Sequence, residues 1–324
     1  MKNRYTGGEV VRVAAVPGEK GYVGCSSLAG LESRRGFHTP LDVWKVYTGR
    51  KEAPDEELQK LFNAGHIMED AIMRLSIENC PEWGIAKVTA PKKAYACADL
   101  PKLICHPDRL VVGKIDGKDI AVEIKFSHSK DWGEEDSDKV PVDYIWQAQG
   151  YFACGVPCDE VWIIRWGGWG QPRRHIITPD ERMITAIRQD VAKALKDWDE
   201  GKKPDPSTAE EAAEAWPTVD PDASLVASDS LLQEVMDYGR YASEKKELEA
   251  KMEKISTDVT LAMQGRKYLY GDGDLAKKPV VTMVQRKNSV RLDGRRLKAE
   301  MPEVYDKYAV VPEQEYGAPY PKFN

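Results

Sequence analysis

Residues 105–129, CHPDRLVVGKIDGKDIAVEIKFSHS, decide how the rest of the chain is read. The stretch is written as two short strands around a tight turn at Asp116-Gly117, a dipeptide that favours the left-handed conformations a two-residue hairpin needs. Side chains alternate across a strand, so Val122 and Ile124 point one way, into a core, while Glu123 and Lys125 share the opposite face. Asp108 opens the first strand, where the hairpin brings it close to Glu123. Two carboxylates and an ammonium on a half-buried strand are costly unless they are paired or hold an ion. A surface ion pair would also satisfy the hairpin taken alone.

The flanking helical patterns extend the cluster. Upstream, LFNAGHIMEDAIMRLSIE (61–78) is amphipathic, with Leu61, Met68, Ile72 and Leu75 as the expected buried stripe and Glu69 at its border. Downstream, VPVDYIWQAQGYFACG (140–155) reads as a helix with Pro141 in its first turn. Tyr144, Gln147 and Tyr151 lie on one of its faces at steps of three and four. An aromatic core stripe explains the tyrosines but not the glutamine between them.

Working outward, the chain has 324 residues and a net charge of -6, enough for one large core with an appendage and without the basic excess of a general nucleic-acid binder. No apolar run approaches the roughly 20 residues that span a bilayer, and VVRVAAV (10–16) is too short and interrupted for a signal peptide. The reading is a cytoplasmic protein without membrane contact. Six cysteines at 25, 80, 97, 105, 154 and 158 show no disulfide framework. Cys154 and Cys158 read as two small buried thiols; an iron–sulfur site would need further thiolates.

Three regions are expected: 1–203, mixing helix and strand patterns; an acidic, proline-rich linker, 204–224, whose prolines at 204, 206, 217 and 221 break regular structure; and 225–324. The last opens with a long helix, roughly 229–264, in which Leu248, Met252, Ile255, Val259 and Ala262 mark a coiled-coil or helical-hairpin seam. A strand over PVVTMVQRKNSV (279–290) and a short helix near DGRRLKAEMPEVY follow. Residues 266–298 hold ten Lys/Arg against three acids, which suits either a solvated face or a surface for the DNA backbone.

Taken in order, Glu69, His106-Pro107-Asp108, Glu123-x-Lys125 and Tyr144-x-x-Gln147-x-Gln149 resemble the PD-(D/E)xK nucleases, and most closely the YqaJ-like viral recombinases, the lambda-type phage exonucleases. YVGCSSLAGL (22–31), HTPLDVWKVYTG (38–49) and ALKDWDEGKKPDP (194–206) resemble the opening and the final helix of that family's nuclease domain. The resemblance implies an α/β (α+β) fold, a central mixed sheet flanked by helices, with EVWIIRW (160–166) and RRHIITP (173–179) continuing the sheet. It also implies a metal-dependent DNA exonuclease acting 5′→3′ on double-stranded ends and leaving 3′ overhangs for recombination. Another DNA nuclease on the same fold, or a non-catalytic end-binding scaffold, are the alternatives.

Under that resemblance Asp108, Glu123, the Ile124 carbonyl and Glu69 would hold Mg²⁺, two ions with Mn²⁺ able to substitute. Lys125 would orient or help deprotonate the attacking water, and Gln147 would fix the water or the phosphate. Ser26, Ser27, His106, Tyr144, Gln149, Arg173 and Arg174 are the candidate DNA or phosphate contacts; Trp166 and Trp169 accompany the two arginines as a possible single-strand platform. His106 stands where the lambda-type enzymes have a serine beside the 5′-phosphate pocket. The family further implies a single-strand annealing protein as partner, a trimeric ring, and a phage or prophage gene in a bacterial cell.

Overall fold

The computed structural model describes residues 2–15, 18–32, 38–51, 53–133, 137–218, 222, 224–284 and 294–308. It divides into two compact units, Met1–Ala212 and Ala213–Asn324.

The first unit runs β1 (Val10–Val13), β2 (Val23–Gly24), α1 (Leu28–Glu32), α2 (Pro40–Thr48), α3 (Glu56–Asn79), β3 (Val88–Thr89), β4 (Ala94–Cys97), β5 (Leu100–Cys105), β6 (Arg109–Val111), β7 (Ile120–Phe126), α4 (Val142–Cys154), β8 (Glu160–Trp166), β9 (Arg173–Ile177), α5 (Glu181–Asp199) and α6 (Ala209–Ala215). Five strands in the order β3-β6-β7-β8-β9 make the main sheet, and four in the order β1-β4-β5-β2 a second. Among the described residues only β7–β8 and β2–β5 pair in parallel. This is the mixed sheet flanked by helices that the sequence implies.

The hairpin forms as read. Arg109 faces Val122 and Leu110 faces Ala121 across β6–β7. Asp116 and Gly117 both take positive φ, 50° and 79°, which is why a Gly ends the turn. β8 continues in register with β7, Glu123 opposite Ile163 and Lys125 opposite Arg165, and β9 returns antiparallel. The parallel β7–β8 pair requires a crossover, and α4 supplies it.

The main sheet has two different faces. Val122, Ile124, Trp162 and Ile164 pack against Ile72 and Met73 of α3. On the other face Ala121, Val161 and Ile163 join Tyr151 and Phe152 of α4, Ile184 and Ile187 of α5, and Trp44 of α2. α4 sits close to its neighbours because residue 150 is glycine. A Cβ there would lie 2.6 Å from the Cys25 sulfur and 2.6 Å from a Leu28 methyl.

Two expectations are corrected. The stripe on α3 is buried only in its second half: Ile72 is fully buried, but Leu61 is 66% exposed. The pattern is helical throughout, whereas burial follows where the sheet lies. The segment after 203 is not free of regular structure either. α6 forms there, with Glu211 accepting from the Ser207 amide at 2.7 Å and from the Thr39 hydroxyl. Thr39 in turn caps α2 through a reciprocal bond with Asp42.

In the second unit α7 (Asp229–Met263) is 35 residues long and opens on a Ser228 cap to the Leu231 amide. Leu248, Met252 and Ile255 of the expected seam are exposed. β10 (Tyr268–Leu269) pairs antiparallel with β11 (Val281–Thr282), and α8 (Gly294–Glu300) and α9 (Pro302–Tyr308) follow. The expected strand 279–290 is thus observed at 281–282, and its residues 285–290 lie outside the described residues. So do Arg286, Lys287 and Arg291 of the basic stretch.

Candidate active site

His106-Pro107-Asp108 is the step by which the chain leaves β5 of the second sheet and enters β6 of the main one. Pro107 has no N–H to donate, so ladder pairing breaks there. The Asp108 carboxylate turns to β7, where its Oδ2 accepts the Ile124 N–H at 2.7 Å. A backbone amide on an acid is a charge-assisted bond, and it fixes the carboxylate beside the next residue's strand neighbours.

Glu123 is 4% exposed, and three side-chain donors converge on it. Lys125 Nζ lies 2.5 Å from Oε1, and Gln147 Nε2 donates to the same oxygen at 2.7 Å. The Tyr151 hydroxyl donates to Oε2 and sits 3.3 Å from the His106 carbonyl. Gln147 and Tyr151 are four apart on α4, so one helix face holds both oxygens. Tyr151 was legible as a member of that face, yet the sequence alone gave it no role beyond core. Lys125 also lies 4.7 Å from the Tyr144 ring, which stacks on the fully buried Trp132; Arg165 lies over the other ring of that stack. The ammonium is therefore positioned by an anion on one side and an aromatic face on the other.

The charges act on one another. Burial, then repulsion from Glu123 and Glu69, raises the Asp108 carboxyl well above the usual range. Glu69 is raised too, first by burial and further by repulsion from Glu123, with His66, Arg109 and Lys125 relieving it. Burial pulls Lys125 down, but Glu123 and then Asp108 outweigh it and the net shift is upward. Lys125 therefore stays protonated at neutral pH. Three mutually repelling carboxylates, one of them with its backbone carbonyl neighbour Ile124, form a hard oxygen donor set, which suits Mg²⁺ or Mn²⁺. Their oxygens do not all lie within 4.8 Å of one another; among the described residues only the sulfurs of Cys25, Cys105 and Cys154 meet that condition.

Two cavities open on this cluster. One of about 200 Å³ has Ser26, His106, Asp108, Glu123, Lys125 and Gln147 in its wall. One of about 690 Å³ runs past Ser26, Glu69, Lys125, Tyr144 and Gln147 to the exposed half of α3, at Leu61 and Phe62. Glu69, Asp108, Glu123, Lys125, Gln147, Tyr144, Ser26 and His106 are thus brought together. The His106 Nε2 is buried with no hydrogen-bond partner.

The remaining candidates separate from this cluster. Gln149 points away from Glu123: its amide donates to the Thr178 carbonyl at 2.8 Å, and its oxygen accepts the Asp180 amide at 2.9 Å. It joins α4 to the start of α5, a structural task for a residue only 3% exposed. Arg174 lies over Trp162 at 4.2 Å and Trp83 at 5.3 Å, on the α3 face of the sheet. Its neighbour Arg173 faces the other way, into a cavity shared with His128, Arg165 and the exposed Trp169. Alternation along one strand divides the two arginines. Trp166 packs its ring near Phe126. Ser27 lines neither cavity at the cluster.

No helix among the described residues is long and apolar enough to cross a membrane. No curated protein matches the chain. Among solved structures, an alkaline exonuclease from Laribacter hongkongensis, LHK-Exo, is 15% identical, with 56% of this chain and 89% of that chain covered and a TM-score of 0.43. The same protein in complex with dAMP is 18% identical at the same coverage and TM-score. The family model of the YqaJ-like viral recombinase domain matches residues 18–155, a span that holds Ser26, Glu69, Asp108, Glu123, Lys125, Gln147 and Tyr151. Over residues 18–155 this chain is thus similar to the YqaJ-like viral recombinase domain.

Proposed function

We propose that this chain is a divalent-metal-dependent DNA exonuclease that degrades linear duplex in the 5′→3′ direction and leaves 3′ single strands for an annealing protein. The observation that carries the reading is the tethering of Asp108 by the Ile124 amide, which sets one acid beside the Glu123–Lys125 pair in a single cavity wall. Asp108, Glu123, Glu69 and the Ile124 carbonyl are the residues that would hold the cation. When bound, such an ion supplies Lewis-acid polarisation of the phosphate and a water of lowered pKa.

The chain's own groups do the rest. Lys125 keeps its proton, because Glu123 and Asp108 outweigh its burial. It therefore presents a positive charge toward the charge developing on phosphate. Gln147 and Tyr151 hold Glu123, so their task is to position the acid. His106 offers an unpaired ring nitrogen in the same cavity wall as Asp108, suited to a phosphate oxygen when the imidazole is protonated, a form that burial disfavours in the free protein. Pure end-binding would require none of this donor set.

The test is single-turnover degradation of end-labelled duplex in Mg²⁺, with linear 5′-phosphate, linear 5′-hydroxyl and covalently closed circular substrates. The reading expects loss of the 5′ label first, from linear DNA only. Cleavage of the closed circle would replace it with an endonuclease.

A further inference from the structure

Behind the carboxylate cluster lies a group the proposed chemistry does not use. We propose that Cys25, Cys105 and Cys154 form a three-thiolate site for a thiophilic d¹⁰ cation, zinc(II) being the natural occupant by chemistry. The three sulfurs lie within 4.8 Å of one another, and Cys25 and Cys154 are 3.6 Å apart. Zinc–sulfur bonds of about 2.3 Å in a tetrahedron put the sulfurs about 3.8 Å apart. Closing the set around an ion therefore takes movements of about 1 Å at most.

The bland alternative is three small buried side chains. The other cysteines show what that looks like. Cys97 donates to the Ala153 carbonyl beside Asn3, as Cys154 does to the Leu103 carbonyl, but Cys97, Cys80 and Cys158 have no cluster of sulfurs around them among the described residues. The trio differs because three remote elements deliver it: the Cys25–Ser27 turn after β2, the last residue of β5, and the last residue of α4. Gly150 lets the turn approach α4 closely enough for the sulfurs to meet. All three thiols are free.

There is also a way in. Cys25 and Cys105 belong to the wall of the cavity of about 200 Å³ that reaches Asp108 and Glu123. A small cation crosses from the carboxylate side to the sulfur side without passing through the core. The fourth coordination position faces that cavity and takes water. Hard and soft donors then sort the ions: oxygen ligands keep Mg²⁺, thiolates take zinc. Binding replaces three S–H bonds by three S–metal bonds and releases three protons, with no change of oxidation state. The bound ion ties β2, β5 and α4 together, so it stabilises the folded chain.

This inference goes beyond the nuclease reading and stands or falls without it. The full-length protein, reduced with a phosphine and stripped with a chelator, is titrated with Cd²⁺ in a large excess of Mg²⁺. The proposal expects an ultraviolet thiolate-to-cadmium band that saturates at one ion per chain, zinc displacing it, and a melting temperature that rises with free zinc. Cys25→Ser and Cys154→Ser lose the band and the thermal shift, whereas Cys158→Ser keeps both. Should a serine variant fail to fold, cadmium NMR of the parent protein decides, because the shift counts sulfur ligands. An oxygen-type shift, no band at one equivalent, or a protein that only oxidises to a disulfide overturns the proposal.

Discussion

The two faces of β7 are one residue apart in sequence and opposite in chemistry. Val122 and Ile124 enter a dry cluster with Ile164 and the second half of α3. Glu123 and Lys125 enter a network with Gln147, Tyr151 and Tyr144. The dry face gains stability from apolar area, about 25 cal/mol per Å² removed from water. The wet face concentrates like charges and loses stability unless its partners are placed well. A strand whose alternation divides these tasks lets each be perturbed alone, and the sharpest tests exploit that division.

Lys125→Ala should have the largest effect. Removing a positioned charge of this kind costs about 100- to 1,000-fold in rate, and the melting temperature in chelator should fall as well, because the buried Glu123 carboxylate loses its cation. Single-turnover cleavage beside thermal unfolding reads both, and near-parental cleavage would end the assignment of this hairpin as the active site. Ile164→Ala, on the opposite face of the neighbouring strand, should cost stability alone. A buried large-to-small change costs about 2–5 kcal/mol of stability, with cleavage by the folded fraction unchanged at low temperature. Chemical denaturation beside the same assay checks it, and a variant with parental stability and lost cleavage would break the comparison.

Tyr151→Phe tests a residue that belongs to both worlds. It keeps the ring in the core and removes the hydroxyl from Glu123. An unsatisfied buried acceptor costs about 1–3 kcal/mol, and cleavage should fall about tenfold as the acid loses its anchor. Rescue of metal affinity without rescue of rate at high Mg²⁺ would separate positioning from folding. Asp108→Asn should move the other way on stability. Its oxygen still accepts the Ile124 amide, but the repulsion by Glu123 and Glu69 is gone. In chelator the variant should melt higher, about 2–4 °C for each kcal/mol recovered, with cleavage abolished. A lower melting temperature would mean that the acids are not in net repulsion.

The smallest effect is expected from truncation after Ala212, the end of the first unit. It keeps Glu211, which caps and braces the first unit through Ser207 and Thr39. The melting temperature of the first unit should be unchanged, while duplex affinity and its salt dependence should fall if the basic stretch contacts phosphates. An unchanged salt slope would leave that stretch as a solvated face.

How much of this the sequence disclosed depended on whether the information was local. The Asp116-Gly117 turn, the alternation on β7 and the run 160–166 carry their own signals, and the structure places them as expected. Helical periodicity marked α3 and α4 but could not say which stretch of a helix meets the sheet, so Leu61 came out exposed. Gln149 stood beside Gln147 only in the order of the family motif, not on its helix face. Its real partners, Thr178 and Asp180, are near only after the chain turns back. Arg173 and Arg174 are adjacent letters, and only the sheet's sidedness tells them apart. The sulfur trio was wholly hidden, because Cys25, Cys105 and Cys154 share no spacing that any motif encodes.

The parallel pairing of β7 and β8 has a consequence in time. Parallel neighbours can close only after the intervening helix has been made, and such non-local pairings are slow to form. Gln147 and Tyr151 ride on that helix, so they reach Glu123 in the same event that seats β8. During synthesis, Asp108, Glu123 and Lys125 all leave the ribosome before the residues that hold them in place. A nascent chain therefore completes the surroundings of Glu123 late, when residue 166 is available to pair with Phe126.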